Sequence, residues 1–103
     1  MSADPAPLAD IAFSGAVIEW RGPAPHYFVA VPADLVGEVA YAARLASYGW
    51  GCVPVSASAN GFDFTTSLFP KDGGYMLPLK VAVRKHANVV AGEAVAIRMR
   101  IFA

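Results

Sequence analysis

The chain repeats one pattern of apolar and polar positions. A short apolar strand stops at a proline, a helical segment follows, and a glycine returns the chain to a strand. The first copy turns at Pro32 and ends at Gly49, and the second turns at Pro78 and ends at Gly92. Proline suits the first turn of a helix because its missing N–H would have no partner there. The repeat predicts two equivalent halves related by a pseudo-two-fold axis.

Alternating apolar residues predict the strands, and three- and four-residue spacing predicts the helices. The predicted strands span residues 12–20, 26–31, 53–59, 62–68, 75–77 and 94–102. In the last strand the alternation places Arg98 and Arg100 on one face, and on the other Val95, Ile97, Met99 and Ile101. The predicted helices span residues 33–47 and 79–87. Leu79, Val83 and His86 should share the core-facing side of the second helix, with Ala82 beside them.

The dipeptide Asn60-Gly61 joins two of these strands. Both positions of a two-residue hairpin turn need positive φ, which Asn and Gly tolerate best, so we expect a tight hairpin here. Pro54 lies in the strand before the turn and cannot donate a hydrogen bond to a ladder, so its end of the strand should be an edge or a bulge. A second turn is expected over residues 70–74, where Pro and Gly cluster.

Six strands and two short helices are too few for a doubly wound parallel sheet, and neither helical segment lies in a right-handed βαβ frame. A small, mainly β, closed six-stranded barrel with two short helices fits better, because closure removes exposed strand edges. Residues 1–10 hold two Asp and two Pro but no Lys or Arg, which predicts a frayed tail rather than a signal or transit peptide. The predicted β-barrel domain spans residues 11–103.

The composition narrows the class of protein. A hydrophobic content of 56% excludes a disordered chain, and no apolar run approaches the ~18–20 residues of a membrane helix. We therefore expect a cytoplasmic protein. Cys52 is the single cysteine, so neither an internal disulfide nor a cysteine-based zinc site can form, and two histidines with scattered acids make no metal-ligand spacing. No metal and no cofactor is predicted.

The charges are balanced overall but unevenly spread. Residues 1–70 hold two basic and six acidic side chains, whereas residues 71–103 hold six basic and two acidic ones. The net charge of zero argues against sequence-blind nucleic-acid binding through counterion release. The basic second half leaves room for a local anion site.

Several short segments together carry a resemblance to a known family. They are Gly49-Trp50-Gly51, Val53-Pro54-Val55, Asn60-Gly61, Thr66-Ser67-Leu68-Phe69-Pro70, Met76-Leu77-Pro78-Leu79-Lys80 and Ala91-Gly92-Glu93. Over residues 11–101 the chain resembles DUF1905, a bacterial family of domains of unknown function. The family's known structures imply a double-split β-barrel, in principle monomeric, in which one chain supplies both halves. The resemblance implies no activity and no catalytic residues.

The second copy of the repeat, from Leu77-Pro78 to Val95, is also similar to the AbrB-type swapped-hairpin motif. Proteins of that type are often DNA-binding dimers, and each chain gives half of a barrel. The present chain departs from them because it carries both halves, so a DNA-binding role transfers only by analogy.

The basic cluster of the second half is the first candidate for a binding site. Lys80 and Arg84 lie four residues apart on the second predicted helix and face the same way, with Lys85 nearby and Lys71 on the preceding turn. Cations around a helix N-terminus suit an anion, and Tyr75 lies in the adjoining strand. The alternative is a solvated basic face that balances the acidic first half.

Two further features allow either a functional or a purely structural interpretation. Ser67 could be a nucleophile, but no Gly-x-Ser-x-Gly elbow surrounds it, and an ordinary strand hydroxyl explains it as well. Aromatic residues could form a stacking surface for single-stranded nucleic acid or could fill the core; they are Trp20, Tyr48, Trp50 and Tyr75.

The leading hypothesis is therefore a non-enzymatic binding module for an anionic or small-molecule ligand at Lys71, Tyr75, Lys80, Arg84 and Lys85. Nucleic-acid binding through the same basic half is the alternative, and an enzyme centred on Ser67 is the third class. We expect no membrane partner, and a monomer or a weak homodimer, because the apolar content leaves room for a self-association patch.

Overall fold

A computed structural model describes residues 6–22, 26–46 and 51–102. Within these residues, seven antiparallel strands form one sheet in the order β1-β7-β4-β5-β6-β3-β2. The strands are β1 (Ala9–Ala16), β2 (Ile18–Trp20), β3 (His26–Ala30), β4 (Val53–Ala59), β5 (Phe62–Lys71), β6 (Gly74–Pro78) and β7 (Ala94–Ile101). A 3₁₀ turn (Ala33–Leu35) leads into α1 (Val36–Ala46), and α2 spans Val81–His86.

The sheet curls because its two edge strands, β1 and β2, follow each other directly in the chain. Only Val17 separates β1 from β2, yet β1 pairs with β7 and β2 pairs with β3. The Val17 N–H donates to the Glu93 carbonyl at 2.9 Å, and the Gly92 N–H donates to the Val17 carbonyl at 2.8 Å. Val17 is buried at this crossing. The prediction of six strands was therefore wrong by one, because the segment predicted as a single strand breaks at Val17.

The long strand β5 pairs with one neighbour along its first part and with another along its end. Residues 62–68 of β5 pair with β4, and residues 69–71 pair with β6. The predicted turn over residues 70–74 is shorter in the structure, since Pro70 and Lys71 belong to β5. Only Asp72 and Gly73 form the turn, with φ of 51° and 78°.

The N-terminal boundary also differs from the prediction. β1 begins at Ala9, and Asp10 pairs with Arg100 of β7. Before it, the Leu8 N–H donates to the Ile101 carbonyl at 2.7 Å. Ala9 and Asp10 were assigned to a frayed tail but lie in the sheet, because backbone pairing with β7 satisfies their polar groups. Residues 1–5 of that predicted tail lie outside the described residues.

The core lies inside the curled sheet and follows the predicted alternation. The inward positions of β7 are buried, as predicted: Val95, Ile97, Met99 and Ile101. Val29 of β3 and Leu77 of β6 face each other across the sheet and are fully buried. Burying one such side chain contributes about 1.5–3 kcal/mol. α1 adds Val39, Ala42 and Ala43 to the same core.

The second helix is shorter than predicted. It has six residues, and Lys80 precedes it with extended backbone (φ −71°, ψ 165°). Leu79 and Val83 are buried as predicted, but Ala82 and His86 are exposed. The core position expected of His86 is taken by Ala87, because the late start of α2 shifts its buried stripe.

The Asn60-Gly61 hairpin is confirmed, with φ of 48° and 87° at its two positions. The edge prediction for Pro54 is also confirmed. Pro54 pairs with Ser67 on β5, but β4 pairs with β7 only from Ser56 onward, so Pro54 lies at an edge on the β7 side, where no ladder needs its missing N–H. Among the described residues, none of the helices has the length and apolar character needed to span a membrane.

Candidate ligand-binding site

The predicted site residues on α2 are partly committed to packing. The Arg84 guanidinium lies over the Tyr27 ring, 3.8 Å from its centroid, which is a cation–π contact. The Tyr27 hydroxyl donates to Glu19 Oε2 at 2.5 Å, and Arg21 Nε donates to Glu19 Oε1 at 2.8 Å. Arg84 Nε is buried and has no hydrogen-bond partner among the residues that the structure describes. Arg84 therefore joins α2 to β2 and β3 rather than projecting into solvent.

The electrostatics of this cluster support that reading. The hydrogen bond from Tyr27, followed by the one from Arg21, lowers the pKa of Glu19, and the charges of Arg21 and Arg84 lower it further. The same hydrogen bond to Glu19 raises the pKa of Tyr27. Glu19 therefore stays ionised at neutral pH and offsets the positive charge of Arg84.

The remaining α2 cations are exposed. Lys80 is the N-cap residue and makes no side-chain cap. Lys85 follows Arg84 in the last turn, where the helix dipole stabilises a cation. A helix of six residues has a weak electrostatic field at its N-terminus. The helix therefore adds little to the affinity of Lys80 and Lys85 for an anion.

Lys71 and Tyr75 lie on a different surface. Both line a recess of about 380 Å³ beside the start of α1, together with Val36, Asp72 and Gly73. No residue of α2 lines this recess, so the structure does not bring the five predicted residues together in one pocket. Of the predicted stacking residues, Trp20 lies beside His26 and Tyr75 packs against the core, whereas Tyr48 and Trp50 lie outside the described residues.

A large concave surface lies on another part of the sheet. It is a polar groove of about 600 Å³ across β4, β5 and β7. Its lining residues are Ser56, Ala57, Ser58, Asp63, Phe64, Thr65, Arg98 and Arg100. We call it the polar groove. Strand alternation explains its polar side chains, because Ser56 and Ser58 alternate with buried residues on β4, and Arg98 and Arg100 alternate with buried residues on β7.

Strand register arranges the polar groove in two rows. In the first row, Arg100 lies opposite Ser56, and Ser56 lies opposite Thr65. In the second row, Arg98 lies opposite Ser58, which lies opposite Asp63. Neighbouring strands are about 4.8 Å apart, so each arginine is about 10 Å from the far strand. The first row holds a cation and two hydroxyls, and the second ends in a carboxylate.

Asp10 of β1 positions the arginines. Two of the three Arg98 side-chain nitrogens donate to it, Nε to Oδ1 at 3.1 Å and Nη2 to Oδ2 at 2.9 Å. Arg100 Nε lies 3.7 Å from Oδ2, too far for a hydrogen bond. Among the described residues the Arg100 side chain makes no hydrogen bond, so its guanidinium donors are available to a ligand. The bond from Arg98 lowers the pKa of Asp10, and it raises the pKa of Arg98.

A second recess of about 480 Å³ continues the polar groove along β4 and β5 and shares Ser56 and Thr65 with it. Ser67 lines this recess, next to Thr66 and Phe102. Neither histidine lines it, and His86 instead stacks on Phe62 with 4.9 Å between ring centroids. The described residues contain no group of three or more side chains that could hold a metal ion.

Sequence reasoning noticed that Arg98 and Arg100 share a face but did not assign them a site. The usable signal was the spacing of two, which places both guanidinium groups on the outer face of one strand. Ser56 and Thr65 likewise lie at exposed positions of the hairpin strands β4 and β5. What was missing was the strand order that sets β7 beside β4.

The fold and the groove define a mainly β protein with a curled sheet and a polar groove on the outer face of that sheet. The family described as a domain of unknown function (DUF1905) matches residues 13–99, most of the chain, and the chain belongs to that family. No curated protein matches the chain.

Proposed function

We propose that the protein is a non-enzymatic binding module whose polar groove takes a small ligand with an anionic oxygen group. The observation that carries the proposal is the first row of the groove. There Arg100, whose guanidinium makes no hydrogen bond to the described residues, lies across from Ser56 and Thr65. A guanidinium with two hydroxyl donors suits a carboxylate or phosphate.

The position of the acids directs the anion to that row. The groove is lined by two arginines and by Asp63, and Asp10 lies behind the arginines. Asp10 already neutralises Arg98, and Asp63 lies in the same row as Arg98. An anion therefore meets least repulsion beside Arg100. In a ligand larger than a bare anion, hydroxyl groups would donate hydrogen bonds to Asp63.

The polar groove is a better candidate than the α2 surface because of how the cations are engaged. Arg84 is stacked on Tyr27 and faces the charge of Glu19, so a ligand would have to displace existing contacts. Arg100 loses no hydrogen bond when it binds a ligand. The lining of the groove and its extension contains hydroxyls but no histidine or cysteine, which supports binding rather than nucleophilic catalysis.

At the level of the fold, we propose a double-split barrel built from two copies of the repeat. The pairing supports this arrangement. The segment containing β1 and β2 pairs with β3 of its own half and with β7 of the other half. Correspondingly, β5 pairs with β6 of its own half and with β4 of the other. Each half completes the other, so one chain suffices.

The test titrates the protein with inorganic phosphate and with citrate while amide NMR shifts are followed. Saturable shifts should centre on Ser56, Thr65 and Arg100. Arg100→Gln should weaken binding about tenfold, because a hydrogen bond to a charged group is worth about 1.5–3 kcal/mol in a protected site and less in an open groove. Arg44→Gln removes an exposed arginine of α1 and is the matched control.

Binding that is equal in the Arg100→Gln and Arg44→Gln variants would contradict the proposal, as would shifts confined to α2. The latter result would favour the second candidate, an anion or nucleic-acid surface at Lys80 and Lys85. Their exposure, without ion pairs to the described residues, is what favours that candidate. Loss of those shifts in Lys80→Gln, with a steep salt dependence, would assign the α2 surface.

A further inference from the structure

A second face of the sheet is apolar and exposed. It is formed by β2, β3, β6 and the end of β5, away from the polar groove. Alternation places on it Ile18, Trp20, His26, Phe28, Phe69 and Met76. Ile18 is 42% exposed and Trp20 is 54% exposed. Contiguous exposed apolar surface of this kind marks binding sites more often than single exposed residues do.

This face contains a small apolar pocket of about 180 Å³, which we call the aromatic pocket. Its lining residues are Trp20, Phe28, Phe69, Lys71 and Met76. Trp20 and His26 stack with ring centroids 5.8 Å apart, and Phe28 meets Phe69 edge-on at 5.3 Å. Because the rings hold one another, the walls need little reorganisation when a ligand enters, which favours binding.

The single charged residue in this lining determines the chemistry of the ligand. Lys71 is exposed, and it forms no ion pair with the described residues. Asp72 follows it in the chain but lines the neighbouring recess, not the aromatic pocket. An uncompensated ammonium at the mouth of an apolar pocket complements a ligand with an apolar body and one negative end.

The volume limits the size of that ligand. A cavity of about 150 Å³ accommodates a benzene ring, so 180 Å³ accommodates one ring or a short branched chain. We propose that the aromatic pocket binds a small monocarboxylate with an aromatic or branched aliphatic body, with its carboxylate on the Lys71 ammonium. This site is separate from the polar groove and does not depend on the function proposed for it.

The test compares two probes of the same shape, phenylacetate and the uncharged phenylacetamide, by amide NMR titration. Phenylacetate should bind with a Kd in the millimolar range, as expected of a ligand of about ten non-hydrogen atoms in a partly open pocket. Lys71→Met keeps the aliphatic stem and removes the charge. It should weaken phenylacetate about two- to fivefold and leave phenylacetamide unchanged. Lys80→Met, a lysine outside the pocket, is the matched control.

A second variant tests the apolar wall. Trp20→Ala should weaken both probes several-fold, and the exposure of Trp20 makes this the lining change least disruptive to the fold. Arg100→Gln should leave the phenylacetate-induced shifts of Phe28, Phe69 and Met76 unchanged, which separates this site from the polar groove.

Five results would overturn the proposal, and four of them concern binding. These four are the absence of saturable binding by both phenylacetate and isovalerate (a branched aliphatic monocarboxylate), equal affinity of the wild type for phenylacetate and phenylacetamide, equal effects of Lys71→Met and Lys80→Met, and loss of the phenylacetate-induced shifts at the aromatic pocket in Arg100→Gln alone. A dimer in sedimentation that dissociates in Trp20→Ala would identify a second copy of the chain as the occupant, and would likewise overturn it.

Discussion

The Asn60 side chain ties the central hairpin to two other elements. Its Nδ2 donates to the Ala87 carbonyl at 2.9 Å, and its Oδ1 accepts from the Ala96 N–H at 3.0 Å. Ala87 lies just beyond α2, where carbonyls lack helical partners. Asn60 thus closes the end of α2 and fixes the start of β7, in addition to its place in the turn.

Replacing Asn60 with glycine isolates this role. Glycine adopts the observed φ of 48° without strain, so Asn60→Gly preserves the turn and removes both side-chain hydrogen bonds. Each bond contributes about 0.5–1.5 kcal/mol, and the bond to Ala96 is exposed, so we expect the free energy of unfolding to fall by about 1–2 kcal/mol. For a domain of this size that corresponds to a decrease in Tm of about 4–16 °C.

Asn88→Gly is the matched control. Asn88 also has positive φ (53°) and is exposed, but its side chain makes no hydrogen bond to the described residues. Its replacement should change stability by less than about 0.5 kcal/mol. Urea unfolding followed by circular dichroism measures both variants, with the m-value checked for constancy. Equal losses in the two variants, or none in Asn60→Gly, would refute the reasoning.

Two further changes test the packing and the electrostatics. A Cβ at Gly15 would lie 2.9 Å from Val29 Cγ1, so Gly15→Ala should destabilise by about 1–3 kcal/mol in urea unfolding. Gly37→Ala on α1 meets no atom within 4 Å and should instead stabilise by up to about 1 kcal/mol. The pKa of Asp10 is lowered by Arg98, so its contribution is present above the unfolded pKa, about 3.9, and is lost as the pH falls through the folded value. The urea midpoints of wild type and Asp10→Asn should therefore converge in acid, and a constant difference would contradict this.

Local sequence signals predicted the features that depend on local geometry. The positive φ preference of Asn60-Gly61 identified the hairpin, and the alternation in β7 identified its buried face. Both follow from backbone sterics and from the two-residue period of a strand. The break at Val17 was missed, because apolar residues continue through it and only the bonds to Gly92 and Glu93 reveal it.

The candidate site was harder to predict because it is assembled across strands. Arg98 and Arg100 were seen to share a face, but their neighbours Ser56 and Thr65 are distant in the chain. The basic residues of α2 had the stronger local signal. The structure nevertheless engages Arg84 with Tyr27, a contact between residues far apart in sequence.

The amino-acid sequence by itself determined the strand periodicity, the two proline turns, the central hairpin and the family. These depend on φ and ψ preferences and on which side chains avoid water, both of which are properties of short segments. Only the tertiary structure decided that β7 lies beside β4, that Asn60 holds the end of α2, and that Arg84 is stacked on Tyr27 whereas the Arg100 side chain is half exposed at the polar groove. The reason is physical: strand pairing and side-chain contacts between distant segments depend on the packing of the whole chain, and no short segment encodes that packing.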